Sequence, residues 1–171
     1  MLGGMTDQVA ALGALKRYFG YDSFRPGQSG SSTRSSPGAT CSGVMPTGAG
    51  KSVCYQIPAT LLPGVTIVIS PLISLMRDQV DALNDAGIPA AYVNTTQGGD
   101  EQAMVLAQAA QGDIKLLYVA PERLETERFR NFATRVPISL VAVDEALRVA
   151  MGTGFPFVVP RIGEFVATAG P

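Results

Sequence analysis

The 171-residue chain contains no histidine and no tryptophan, and only two cysteines. Cys41 and Cys54 are too few and too isolated for a disulfide framework or a zinc site, so a reducing, cytoplasmic compartment is expected. Charge is scarce as well. Only 16% of residues are Asp, Glu, Lys or Arg and the net charge is −1, which gives no overall electrostatic case for nucleic-acid binding; any basic patch has to be local. No apolar run is long enough to span a bilayer, and the start lacks the charged and apolar regions of a signal peptide, so no membrane association is expected. Tandem repeats are not evident. What is present is a 46% apolar content, enough for a real core, in a length that suits one domain.

Periodicity gives the organisation. Apolar residues at helical spacing from Val9 to Phe19 predict a helix that stops at Gly20. Residues 29–42, rich in Ser, Gly and Pro, read as a linker. Helices are predicted over residues 53–62, from Pro71 to about Ala86 before Gly87, over residues 100–111 before Gly112, and over most of residues 122–134. Short β-branched runs predict strands at residues 65–70, 91–94, 114–119 and 138–143. Alternation of this kind implies βαβ crossovers: an α/β fold whose mostly parallel sheet carries helices on both faces, with ligands at the carboxyl ends of its strands.

Two motifs fall at such ends. Met45-Pro46-Thr47-Gly48-Ala49-Gly50-Lys51-Ser52 reads as a phosphate-binding loop. Small residues let consecutive backbone N–H groups point at phosphate oxygens, Lys51 reaches the β- and γ-phosphates, and Ser52 places its hydroxyl on a metal. About ninety residues later, Val141-Ala142-Val143-Asp144-Glu145 is an apolar strand ending in two carboxylates. Asp144 is the expected magnesium partner, directly or through water, and Glu145 the group that polarises an attacking water. The alternative, a Gly-rich turn before a surface helix, leaves the downstream Asp-Glu pair unexplained. ATP and Mg²⁺ are the expected ligands.

From Leu15 to Phe165 the chain resembles the RecQ-type DNA helicases of superfamily 2. The resemblance is carried by Phe19-Gly20-Tyr21 with Phe24-Arg25-Pro26-Gly27-Gln28, the phosphate loop, Ser70-Pro71-Leu72-Ile73-Ser74-Leu75-Met76-Arg77-Asp78-Gln79-Val80, Tyr118-Val119-Ala120-Pro121-Glu122-Arg123-Leu124 and Asp144-Glu145-Ala146. It implies a RecA-like P-loop lobe over residues 29–171, preceded at 1–28 by a helix and an adenine-recognition motif. Gln28 resembles the glutamine that reads adenine through its amide, and Tyr21 and Arg25 the groups that stack on the base. An ordinary turn after a helix is the alternative for these three. Ser70, Pro71, Leu72 and Arg123 resemble residues of loops that hold the backbone of single-stranded DNA. Helix capping by Ser70 and Glu122, and a solvated charge at Arg123, are the alternatives.

Two windows depart from the resemblance. Residues 29–42 replace a helix-and-strand pattern, and residues 147–160 replace a histidine followed by an aromatic-rich loop; Leu147 stands where the histidine belongs. Back-translated and read in a shifted frame, both windows permit nearly the missing segments, so compensated frame slips in the underlying DNA are the favoured explanation over true divergence. As written, the windows predict a marginal, poorly coupled lobe that is not active alone. The resemblance also implies a second lobe, which would supply an arginine finger and which the sequence to Pro171 does not contain. The leading expectation is thus the ATP-binding first lobe of a 3′–5′ DNA helicase of repair or recombination, monomeric, cytoplasmic and nucleoid-associated, acting on single-stranded and duplex DNA. A catalytically inactive nucleic-acid-binding module, another superfamily-2 motor and, remotely, a small-molecule kinase stay open beside it.

Overall fold

The computed structural model describes residues 3–26, 28 and 50–144, with side chains from residue 8 onward. The two departing windows, the greater part of the phosphate loop and Glu145 lie outside the described residues. The chain divides into two compact units, Met1–Pro63 and Gly64–Pro171. Among the described residues, no helix is long and apolar enough to cross a membrane.

The first unit is built on helix α1 (Gly3–Phe19) and helix α2 (Val53–Leu61). Ala11, Ala14 and Leu15, at the i, i+3, i+4 spacing of one helix face, pack with Val53 and Ile57 of α2, flanked by half-buried Tyr18, Phe19 and Phe24. α1 starts six residues earlier than its apolar period, and Val9, the first apolar residue of that period, is 69% exposed. The helix ends at Gly20, at φ +72°, whose N–H reaches the Lys16 carbonyl at 3.1 Å. α2 tolerates Pro58 in its interior at the loss of one backbone bond.

The second unit holds strands β1 (Val65–Ile69), β2 (Ala90–Val93), β3 (Leu116–Val119) and β4 (Ile138–Val143) in one sheet of order β2-β3-β1-β4, every pairing parallel. Helices α3 (Ile73–Asp85), α4 (Gly99–Gln111) and α5 (Glu127–Ala133) connect them. The step from β1 to β2 runs one way across the sheet, and the steps to β3 and then β4 run the other way. Right-handed crossovers therefore require α3 on one face and both α4 and α5 on the opposite face. Packing agrees. Ile67, Ile69, Val93, Leu117 and Val119 share a cluster with Val105, Leu106 and Ala109 of α4 and Phe129 and Phe132 of α5. On the alternate face, Tyr118 donates its hydroxyl to Gln79 of α3 at 3.5 Å, and the Arg77 guanidinium of α3 sits 5.8 Å from the Tyr92 ring centroid. This is the α/β architecture with helices on both faces that the sequence implies.

Three details differ from expectation. α3 begins at Ile73, and its N-cap position is Leu72, with no side-chain cap, so Ser70 does not cap it. Residues 122–134 are not one helix. A 3₁₀ turn, Pro121–Arg123, comes first, and α5 starts afresh at Glu127, capped by Thr126, whose hydroxyl accepts from the Phe129 N–H at 3.4 Å. Glu122 caps neither.

Candidate nucleotide and nucleic-acid site

The phosphate loop enters α2 through Gly50, at φ +73°. A Cβ there would lie 2.5 Å from Gln28 Nε2, so both the dihedral and the neighbour demand glycine. The Gly50 carbonyl accepts two bonds, from the Val53 N–H at 3.2 Å and from Gln28 Nε2 at 3.0 Å. Gln28 is 4% exposed, and its Oε1 accepts the Arg25 N–H at 2.9 Å. One amide thus ties the turn at residues 25–28 to the loop 22 residues later in sequence. This is a contact that the sequence reasoning did not foresee; that reasoning gave the Gln28 amide to a base. Tyr21 is 53% exposed, and Arg25 is exposed beside it in sequence, so both present surface that a planar ligand could use.

Lys51 and Ser52 are half-buried. Ser52 occupies the N-cap position of α2 in a helical conformation and makes no capping bond, leaving its hydroxyl uncommitted to the helix. Serine at this position ordinarily satisfies one of the helix's orphan N–H groups. Thr47, Gly48 and Ala49 fall outside the described residues.

In the second unit, the strands end level with one another. Ile69 pairs with Val119 and Val143, and Val93 with Val119. One further backbone rung follows: Asp144 N–H to Ile69 O at 2.9 Å, Ser70 N–H to Val119 O at 3.2 Å, and Ala120 N–H to Val93 O at 3.0 Å. Asn94, Ala120, Ser70 and Asp144 therefore form a row along the carboxyl edge, all 9% exposed or less. A row of buried polar side chains at the end of an apolar sheet is costly unless each is satisfied. The Ser70 hydroxyl, the Asn94 Nδ2 and the Arg123 Nε are buried without a hydrogen-bond partner among the described residues. All three lie on this edge or on the 3₁₀ turn that leaves it. Pro71 and Leu72 are half-buried beside Ser70, with Leu72 extended at φ −101°, ψ 95°.

Sequence reasoning missed the loop after β2. Asn94 Oδ1 accepts from both the Thr96 N–H (2.8 Å) and the Thr96 hydroxyl (2.7 Å), while the Asn94 N–H donates to Gln97 Oε1 at 3.0 Å. Gln102 of α4 clasps the Asn94 and Gln97 carbonyls. The signal was legible: Asn-Thr-Thr directly after a strand is Asx-turn chemistry.

The model of the family described as DEAD/DEAH box helicase matches residues 25–164. The chain belongs to the DEAD/DEAH box helicase family. It is 50% identical over 139 residues to the ATP-dependent DNA helicase RecQ of Bacillus subtilis, a match covering 80% of this chain and 23% of that protein. With the RecQ of Haemophilus influenzae it shares 44% identity over 146 residues, covering 85% of this chain and 24% of the relative. ATP-dependent DNA helicase Q-like 5 of Arabidopsis thaliana is 45% identical over 133 residues, which is 77% of this chain and 14% of that protein. The chain spans about a quarter of the length of the bacterial relatives, and over that span this DEAD/DEAH box lobe is RecQ-like.

Proposed function

We propose that the chain is the ATP-binding first lobe of an ATP-dependent DNA helicase of the RecQ kind, coupling hydrolysis to 3′–5′ movement along a single strand of DNA. The observation that carries this reading is the carboxyl edge of the sheet. Asp144 continues β4 by one rung and ends up buried, in a row with Ser70 and Asn94. A family relationship to proteins named ATP-dependent DNA helicases supports it.

In this reading Thr47, Gly48, Ala49 and Gly50 offer backbone N–H groups to the phosphates, Lys51 neutralises them, and Tyr21 and Arg25 flank adenine on the turn that the Gln28 amide ties to the loop. Magnesium suits the donors available. Ser52 has a hydroxyl not spent on its helix, and Asp144 a buried carboxylate, both hard oxygen ligands. Such an ion, when bound, neutralises charge on the phosphates; Glu145 would orient the attacking water. Ser70, Pro71, Leu72 and Arg123 line the loops assigned to the DNA backbone. The organisation follows as 1–28 for adenine recognition and 29–171 for the lobe, with a second lobe closing on the nucleotide. An arginine finger from that lobe is worth roughly a thousandfold or more in related systems. A monomer in the cytoplasm, associated with the nucleoid, fits this role.

The test is equilibrium binding of a fluorescent ATP analogue with and without magnesium. Lys51→Ala should weaken it about tenfold or more, the scale of a charged hydrogen bond. Binding that ignores both magnesium and Lys51 would sink the reading. The second reading, an inactive nucleic-acid-binding module, is favoured by Leu147 in place of a histidine and by the absence of tryptophan. DNA affinity indifferent to ATP would select it.

A further inference from the structure

We propose that the groove between α4 and α5 is a docking surface for a partner protein, and that its occupant is an amphipathic helix with carboxylates beside its apolar stripe. The groove lies on the outer side of the helices that cover one face of the sheet. None of its lining residues belongs to the nucleotide or nucleic-acid site described above.

The outward side of a surface helix ordinarily carries charge. On α4 it does not: from Gln102 to Gly112 there is no Asp, Glu, Lys or Arg. Ala107 and Ala110 are exposed, Ala103 is half-buried, and Met104 beside it is 57% exposed. The three alanines make the α4 wall of the groove, and Leu106 and Phe132, both buried, close its floor. The groove holds about 270 Å³. A cavity of about 150 Å³ admits benzene, so there is room for about two apolar side chains of that size.

The opposite wall is basic. Arg128, Asn131 and Arg135 line it, all three exposed. Arg128 donates through Nη1 to the carbonyl of Gly99, which fixes it beside the start of α4. Both helices return antiparallel to the strands, so Arg135, just past the end of α5, lies toward the end of α4. Neither arginine is in an ion pair among the described residues, where Lys16–Asp22 is the only one. The carboxylates nearest in sequence, Asp100, Glu101, Asp113 and Glu127, do not line the groove. An apolar floor between an uncharged wall and a basic one is complementary to an apolar stripe flanked by carboxylates. The space between two packed helices receives a third helix, whereas an extended segment adds to a sheet edge. Nucleic acid fits less well, because its phosphates gain nothing from the alanine, leucine and phenylalanine side.

The experiment is fluorescence anisotropy of the full chain with a labelled synthetic helical peptide, leucines on one stripe and glutamates flanking it. Two comparison peptides carry the same composition scrambled, or lysine for every glutamate. At low salt the acidic amphipathic peptide should bind about tenfold more tightly than either. Ala107→Glu, at an exposed position, should weaken it about tenfold by placing a like charge in the groove. Arg128→Glu with Arg135→Glu should weaken it by about as much and turn the preference to the lysine peptide. The urea midpoint of each variant separates lost binding from a lost fold. Arg135→Gln, which removes one charge outside the helix, should cost about threefold even if the double variant unfolds. No binding of the acidic peptide, or equal binding of the acidic and lysine peptides, would overturn the proposal. So would oligo-dT binding that Arg128→Glu with Arg135→Glu abolishes, which would make the groove a nucleic-acid surface. A dimer in sedimentation velocity that Ala107→Glu dissolves would instead make a second copy of the chain the occupant, and overturn it as well.

Discussion

The two units secure their functional residues by different means. In the first, the entrance to α2 is held by a side chain: Gln28 bonds the Gly50 carbonyl and the Arg25 N–H. In the second, Asp144, Ser70 and Ala120 are held by the backbone ladder itself, one rung beyond the strands. A latch depends on one residue and can be removed by one substitution. A ladder is shared by every residue of four strands, and side-chain changes reach it only through packing. The comparison teaches that the carboxyl edge of the sheet is the rigid element of its unit, whereas the turn at residues 25–28 is the element of the other unit that single substitutions can tune.

The largest effect should come from damaging the ladder's packing. Ile67 is fully buried in the central strand, and Ile67→Ala should cost about 2–5 kcal/mol in urea unfolding, because a cavity is left under four strands. A loss below about 1 kcal/mol would show that the sheet does not unfold as one body. Next comes Gly50→Ala, which combines a left-handed dihedral with a collision against Gln28. The dihedral alone costs about 1–2 kcal/mol. Nucleotide affinity should fall while the urea midpoint of the sheet barely moves; parallel loss of both would erase the distinction between the two units. Gln28→Glu should act more gently. It keeps the acceptor for the Arg25 N–H but loses the donor to Gly50, so the Arg25 amide should stay protected in hydrogen exchange while the ATP analogue binds less tightly. The smallest effect is expected for Ser70→Ala. Removing a buried hydroxyl that has no partner among the described residues should be neutral within about 0.5 kcal/mol or slightly stabilising. A clear destabilisation would reveal a bonded water beneath the edge.

The legible portion of the molecule follows the same division. β4 was placed at its observed bounds because Ile138 to Val143 is a mostly apolar run, interrupted only by Ser139, directly after a proline. Glycine stops at Gly20, Gly87 and Gly112 ended helices where expected, all at positive φ. Such signals are local, and ladders are assembled from local signals. The latch was not legible, because nothing in the residues around Gln28 specifies Gly50 as its partner. The Arg77–Thr96 bond joins a helix to a loop 19 residues away and was missed for the same reason. The break at residues 124–126 could have been read: Thr126 ahead of a helical segment is a cap signal, but the apolar pattern running through it suggested continuity.

The order of the sheet also sets the order in which it can be made. β1 lies between β3 and β4, which arrive about fifty and about seventy residues later in the chain. During synthesis at the ribosome, Val65–Ile69 therefore emerges with both edges open and no neighbour to fill them. It is a short, uncharged, β-branched segment, the composition most prone to pair with another copy of itself. Refolding yield should consequently fall as protein concentration rises, and a charged residue placed on β1 to prevent this would break the core it forms. The interval between the synthesis of residue 69 and that of residue 143 is therefore the time in which this segment is open to such pairing.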